Sequence, residues 1–324
     1  MGALWSTIND FFDQSAEIVG IKSGLLLSNN QIKHILQEGF DDSFLISSDG
    51  DETIRIRSDE MSDMIRYIRV RIGNLPSPEQ YEFYESILEQ FLYYGEILSI
   101  YNKWGLLARH NYVKKESINH GQLKRLIVQS EKLPMELIDS MVYLIMRELD
   151  GILVFPEIKT IKNITKLEDL FKYEIHPKDD NTFIDQKFLD YLAINGAEIE
   201  SIHWRNFERL CAQYFAQKGF MVKLGPGTKD GGIDIKVFST GYKKARPLII
   251  IQCKRYSKQR KVAIESIKAF HSDLKFENAK YGLIATTSKI TTDGKKLVKA
   301  RNYNITFAEN KMIKKWAKEM GSHL

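Results

Sequence analysis

The chain has few of the residues that would staple it or tie it to a membrane. Two cysteines, Cys211 and Cys253, form no CxxC pair and no framework, so a structural disulfide is not expected and a reducing, cytoplasmic setting is. Seven histidines show no HExxH and no paired spacing, which argues against zinc. No apolar run reaches the ~20 residues that cross a bilayer, so no membrane partner is expected. Residues 1–20 carry acids and no basic stretch, and do not read as a secretory signal. Gly225-Pro226-Gly227-Thr228 lacks the GxxxxGK[ST] spacing of a phosphate-binding loop. There is no internal repeat and no low-complexity tract.

What is present is globular: 324 residues, 43% hydrophobic and 27% charged, with room for two domains. The net charge of +5 hides a strong asymmetry. Residues 201–324 hold 26 Lys+Arg against 9 Asp+Glu, a surplus of 17 positive charges; the first 200 hold 21 against 33. The basic part has the electrostatic footprint of a polyanion binder, whereas the acidic part would repel a phosphate backbone.

Ser43–Ser47 and Thr53–Arg57 alternate in polarity around Asp49-Gly50 and read as a hairpin. Helical spacing runs from Glu79 to Ile100, with further helices over Ser117–Gln129 and Pro134–Leu149 and an extended segment over Gly151–Ile158. The last two helices could form a winged helix-turn-helix. Pro134–Leu149 carries Arg147 as its one base, however, which favours a core helix over a DNA reader. The polar run His176–Asn181 is the expected linker, dividing a mostly helical domain (1–180) from a C-terminal domain (181–324). The latter reads as helix Trp204–Lys218 ended by Gly219, strands Phe220–Leu224, Ile233–Phe238 and Leu248–Cys253, helix Val262–Phe276, strand Lys280–Thr286, helix Thr292–Arg301, strand Asn304–Phe307 and helix Lys311–Met320. That order predicts an α/β (α+β) fold, a mixed sheet flanked by helices.

Two segments carry chemistry. Lys229-Asp230-Gly231-Gly232-Ile233-Asp234 places an acid after a tight glycine turn, and Gln252-Cys253-Lys254-Arg255-Tyr256 closes the apolar run Leu248–Ile251. Phosphodiester cleavage needs a positioned water, neutralised phosphoryl oxygens and help for the leaving alkoxide, much of which Mg²⁺ or Mn²⁺ can supply. Asp234 suits a hard cation, and Gln252 offers a carbonyl oxygen. Lys254 shares the Gln252 face of its strand and can orient water or stabilise phosphoryl charge. Glu208 could add a second carboxylate. Asp230 fits turn geometry as well as chemistry. Lys229, Arg255, Lys258, Arg260 and Lys261 are the candidate phosphate contacts, and Lys243, Lys244 and Arg246 could extend them.

These residues resemble a known family. From about Ile202 to Lys299 the chain resembles the Mrr-type branch of the PD-(D/E)XK restriction-endonuclease-like fold. The resemblance runs through Trp204-x-x-Phe207-Glu208-x-Leu210, Tyr214-Phe215, Gly219-Phe220, Gly227-Thr228-x-Asp230-Gly231-Gly232-Ile233-Asp234, Gln252-Cys253-Lys254-Arg255-Tyr256 and Ala285-Thr286-Thr287-Ser288. It implies that Asp234 and Lys254 are the motif aspartate and lysine. Gln252 then replaces the commoner acid, and Glu208 compensates for the lost charge. It also implies a Mg²⁺-dependent, type IV restriction-like endonuclease in prokaryotic anti-phage defence. Its expected substrate is duplex DNA, cut by a homodimer or larger assembly. The N-terminal domain would then serve sensing, specificity or assembly, with an activating ligand or protein as a possible partner. Two alternatives stay open: a nucleic-acid-binding sensor with this fold and no cleavage, and a nuclease for branched DNA or RNA.

Overall fold

The computed structural model describes residues 3–40, 50–113, 120–151, 164–177, 182–227, 232–239 and 246–322. The chain forms two compact units, one joining residues 1–75 to 164–324 and the other spanning 76–163. Neither crossing coincides with the boundary read at 180, and Lys178–Asn181 of the expected linker lies outside the described residues.

The first unit opens with β1 (Ala3–Thr7), α1 (Ile8–Ser23), β2 (Leu25–Leu26), α2 (Asn29–Gln37), β3 (Thr53–Arg57) and α3 (Ser58–Arg71). β3 is a strand as its alternation predicts, with Ile54 and Ile56 inward, but it pairs antiparallel with β1, Trp5 opposite Arg55. Ser43–Ser47, its expected partner, lies outside the described residues.

The second unit is helical: α4 (Pro78–Leu92), α5 (Gly95–Val113), α6 (His120–Ser130) and α7 (Met135–Gly151). The periodicity of Glu79–Ile100 is split between two helices by a turn at Tyr93-Tyr94. On α7, Leu137, Ile138, Met141 and Val142 are buried, so this is a core helix. Its Arg147 pairs with Glu85 at 2.6 Å and lies over the Tyr81 ring. The extended segment expected after Gly151 lies outside the described residues.

The chain returns through β4 (Thr165–Lys166), α8 (Asp169–Lys172), α9 (Gln186–Ile194) and a 3-10 turn, Gly196–Glu200. There follow α10 (Trp204–Gln217), β5 (Met221–Leu224), β6 (Ile235–Phe238), β7 (Ile249–Lys254), α11 (Ile264–Phe276), β8 (Tyr281–Thr286), α12 (Thr292–Ala300), β9 (Ile305–Ala308) and α13 (Asn310–Met320). Gly219 ends α10 at φ 85°, a left-handed conformation that favours glycine. The five strands lie in the order β5-β6-β7-β8-β9, antiparallel from β5 to β7 and parallel from β7 to β9. This is the expected mixed sheet.

Alternation on β7 sorts its side chains between two layers. Ile251 and Cys253 pack with Phe207 and Cys211 of α10 and Trp316 of α13, whereas Ile250 packs with Ile267 and Phe270 of α11. The first layer continues without a break into Phe11 and Ile68, so residues 1–75 share a core with the sheet. Burying one such phenylalanine is worth roughly 1.5–3 kcal/mol. Asn206, fully buried, fastens the returning segment: it donates to the carbonyls of Leu170 and Tyr173 and accepts from the Ile175 amide. Among the described residues no helix is long and apolar enough to cross a membrane.

Candidate active site

Asp234 sits immediately before β6 and is tied to β7 twice. Its amide donates to the Ile251 carbonyl at 3.0 Å, and its Oδ2 accepts from the Cys253 amide at 2.6 Å. Its own carbonyl accepts from the Gly225 amide at 2.7 Å. A Cβ at Gly225 would stand 2.9 Å from the Ile233 carbonyl oxygen, so glycine is required for this approach. The carboxylate is thereby held beside the residue between Gln252 and Lys254.

Gln252 is buried, and its Nε2 donates to the Gly232 carbonyl at 2.9 Å. Its Oε1 is buried and accepts no hydrogen bond among the described residues. Orphaned acceptors of this kind are uncommon and ask for an explanation. Lys254, two residues on, is half-buried on the same face of β7. Its carbonyl accepts from Thr286 Oγ1 at 2.7 Å.

Glu208 on α10 is buried and engaged. Its Oε2 accepts from Arg205 Nη1 at 2.6 Å, and the same guanidinium reaches Glu174 at 3.3 Å and the Gly225 carbonyl at 2.6 Å. The Cys253 thiol, which faces α10, is held well above its ordinary pKa by burial first. The adjoining Cys211 thiol and the charges of Asp234 and Glu208 add to the shift. Both acids therefore flank one thiol, but Glu208 approaches from the α10 layer with its charge already opposed by Arg205. Both cysteines are free.

The donor set fits a hard divalent cation: the Asp234 carboxylate and an orphaned amide oxygen on Gln252 are oxygen ligands of the kind Mg²⁺ and Mn²⁺ take. Among the described residues no group of three or more His, Cys, Asp or Glu could hold a metal ion.

The basic candidates divide. Arg255 Nη1 donates to the Glu200 carbonyl at 3.1 Å, and Lys258 Nζ lies 3.3 Å from Glu200 Oε1. Arg260 lies over the Tyr256 ring at 4.1 Å. Lys261 and Arg246 are exposed. Lys229, Asp230, Lys243 and Lys244 lie outside the described residues. Arg205 was not singled out from sequence, although its i, i+3 spacing to Glu208 marks a possible pair. Neither was Asp273 on α11: a Cβ at Gly232 would stand 3.1 Å from Gln252 Nε2 and 3.6 Å from Asp273 Oδ2. Burial, then the nearby Glu277 charge, raises the Asp273 pKa.

Two solved structures are similar over part of the chain. One is the DNA modification-dependent restriction endonuclease AspBHI, 17% identical with a TM-score of 0.32, over 45% of this chain and 39% of that one. The other is the MspJI restriction endonuclease in complex with a 27-mer oligonucleotide, 13% identical with a TM-score of 0.29, over 63% and 42%. In each case less than half of the neighbour's length is spanned. A comparison with curated proteins finds no match. Residues 199–317 match the family model Mrr_cat, described as restriction endonuclease. The segment that carries Glu208, Asp234, Gln252 and Lys254 is therefore a restriction endonuclease domain of the Mrr type.

Proposed function

We propose that this protein is a divalent-metal-dependent endonuclease that hydrolyses DNA phosphodiester bonds. The observation that carries the reading is the convergence at the end of β7: the Asp234 carboxylate on the Cys253 amide, between the orphaned Gln252 oxygen and the Lys254 stem. Asp234 and Gln252 would hold Mg²⁺ or Mn²⁺, which when bound supplies charge neutralisation and a more acidic water. Glu208 would join only by exchanging Arg205 for the cation. Lys254 brings its ammonium to the phosphoryl oxygens or the attacking water. Arg255, Lys258, Arg260 and Lys261, continued by Lys229, hold the DNA backbone. Such contacts position DNA without reading its sequence.

Two strands of a duplex call for two sites, hence a homodimer or larger assembly. The setting that suits this activity is restriction of foreign DNA in a prokaryotic cytoplasm, with residues 1–180 supplying sensing or specificity. The test is incubation with supercoiled plasmid and Mg²⁺, beside Asp234→Asn and an EDTA control. Nicking or linearisation lost in both controls is the expected result. Salt-sensitive plasmid binding with no cleavage under any metal would replace this reading with that of a binding module, which the Arg205–Glu208 pair would favour.

A further inference from the structure

β8 ends at Thr286, and three hydroxyl residues in succession, Thr286, Thr287 and Ser288, are buried there. A buried hydroxyl without a partner costs roughly 1–3 kcal/mol, so the direction each one takes is informative. All three face the segment that leaves β7. Thr286 Oγ1 donates to the Lys254 carbonyl at 2.7 Å, and the Thr287 amide adds a second donor to it at 3.3 Å. Thr287 Oγ1 donates to the Tyr256 carbonyl at 2.7 Å and accepts from the Tyr256 amide at 2.8 Å. Ser288 Oγ lies 3.5 Å from the Lys258 carbonyl. The Val262 amide donates to the Lys289 carbonyl, and Asn310 Nδ2 anchors the Thr287 carbonyl from α13.

One hydroxyl thus satisfies both backbone groups of Tyr256, and the Tyr256 ring in turn carries the Arg260 guanidinium. Lys254 Nζ has no partner among the described residues, so its placement comes from its backbone. Valine would fill the Thr287 site equally well if packing were all it required, but it could bond neither group. We propose that Thr287 is a positioning residue for the basic segment that follows β7, fixing through Tyr256 the direction in which Arg260 meets the nucleic-acid backbone. The inference rests on the nuclease reading for its ligand and on the hydrogen bonds for its mechanism.

The full-length wild type, Thr287→Val and Thr287→Ser are compared by amide hydrogen exchange over 254–262 and by cleavage against DNA concentration. In Thr287→Val the Tyr256 amide exchanges roughly tenfold faster, and half-maximal cleavage needs roughly fivefold more DNA, with a smaller change in the limiting rate. Thr287→Ser restores both. Wild-type exchange and DNA dependence in the valine variant overturn the proposal, as does a serine variant that behaves like valine. Should the valine variant fail to fold, the wild type decides: a protected Tyr256 amide supports the clamp and a rapidly exchanging one overturns it. A wild type that protects Tyr256 but cuts no DNA refutes the nuclease reading alone. Duplex binding by the three proteins then tests the clamp in the same order.

Discussion

The Asp234 carboxylate accepts a 2.6 Å hydrogen bond from the Cys253 amide, so the acid before β6 is oriented by the backbone of β7 between Gln252 and Lys254. Asparagine can still accept that bond but carries no charge. Asp234→Asn should therefore fold with little change in stability and lose about a hundredfold or more in cleavage rate, the scale of removing a well-placed electrostatic group. Lys254→Ala should do the same, because Lys254 is held by its carbonyl and not by its side chain. Plasmid cleavage and thermal melting of both variants check this; wild-type rates in either would remove that residue from the site.

Arg205 bears on stability through Glu208. Its guanidinium and the Glu208 carboxylate are both over nine-tenths buried, at 8% and 7% side-chain exposure. Arg205→Met leaves Glu208 without its counter-charge in the interior, a loss on the order of 3–5 kcal/mol. Arg205→Met with Glu208→Met removes both charges and should recover most of that loss. Urea denaturation of the two variants decides it: equal destabilisation would mean that the Glu174 and Gly225 contacts matter more than the ion pair.

The parts of the candidate site that were legible are the local ones. Gln252 and Lys254 share a face by the two-residue period of a strand, and the glycine turn before Asp234 announces itself in composition. What could not be read was long-range. Thr53–Arg57 announced a strand, but its pairing with Ala3–Thr7 depends on which apolar faces meet. The polar run from His176 looked like a linker, yet the preceding Leu170–Ile175 is fastened to α10 by Asn206, a buried amide that no periodicity reveals. Glu208 was read as an acid that could supply a second carboxylate. Its engagement by Arg205 depends on burial and on a partner at Glu174, beyond the reach of local pattern.

Glu174 links that buried pair to pH. Burial works to raise its pKa, but Arg209 at 2.6 Å and Arg205 at 3.3 Å outweigh it and hold the value below the ordinary 4.5. A carboxylate lowered on folding stabilises fully above its unfolded value and loses that contribution as pH falls through the folded one. The wild type should therefore exceed Glu174→Gln in stability above pH 4.5, and the difference should shrink below it. Melting temperatures of both proteins from pH 7 to pH 3 test this; a gap that widens on acidification would reverse the sign.

Gln252 offers a test of cation binding that needs no substrate. Its Oε1 is buried with no hydrogen-bond partner among the described residues, a cost that a bound cation would relieve. A ligand bound only by the folded state raises stability by about 2.7 kcal/mol at a hundred times its Kd. Mn²⁺ or Mg²⁺ should accordingly raise the melting temperature of the wild type, and the rise should be lost in Asp234→Asn and much reduced in Gln252→Met. Without metal, Gln252→Met gives up the bond to Gly232 but removes the orphaned oxygen, so its melting temperature should lie close to that of the wild type. A Gln252→Met protein that keeps the full metal-induced rise would show that the cation sits elsewhere, on Asp234 with donors other than the Gln252 amide.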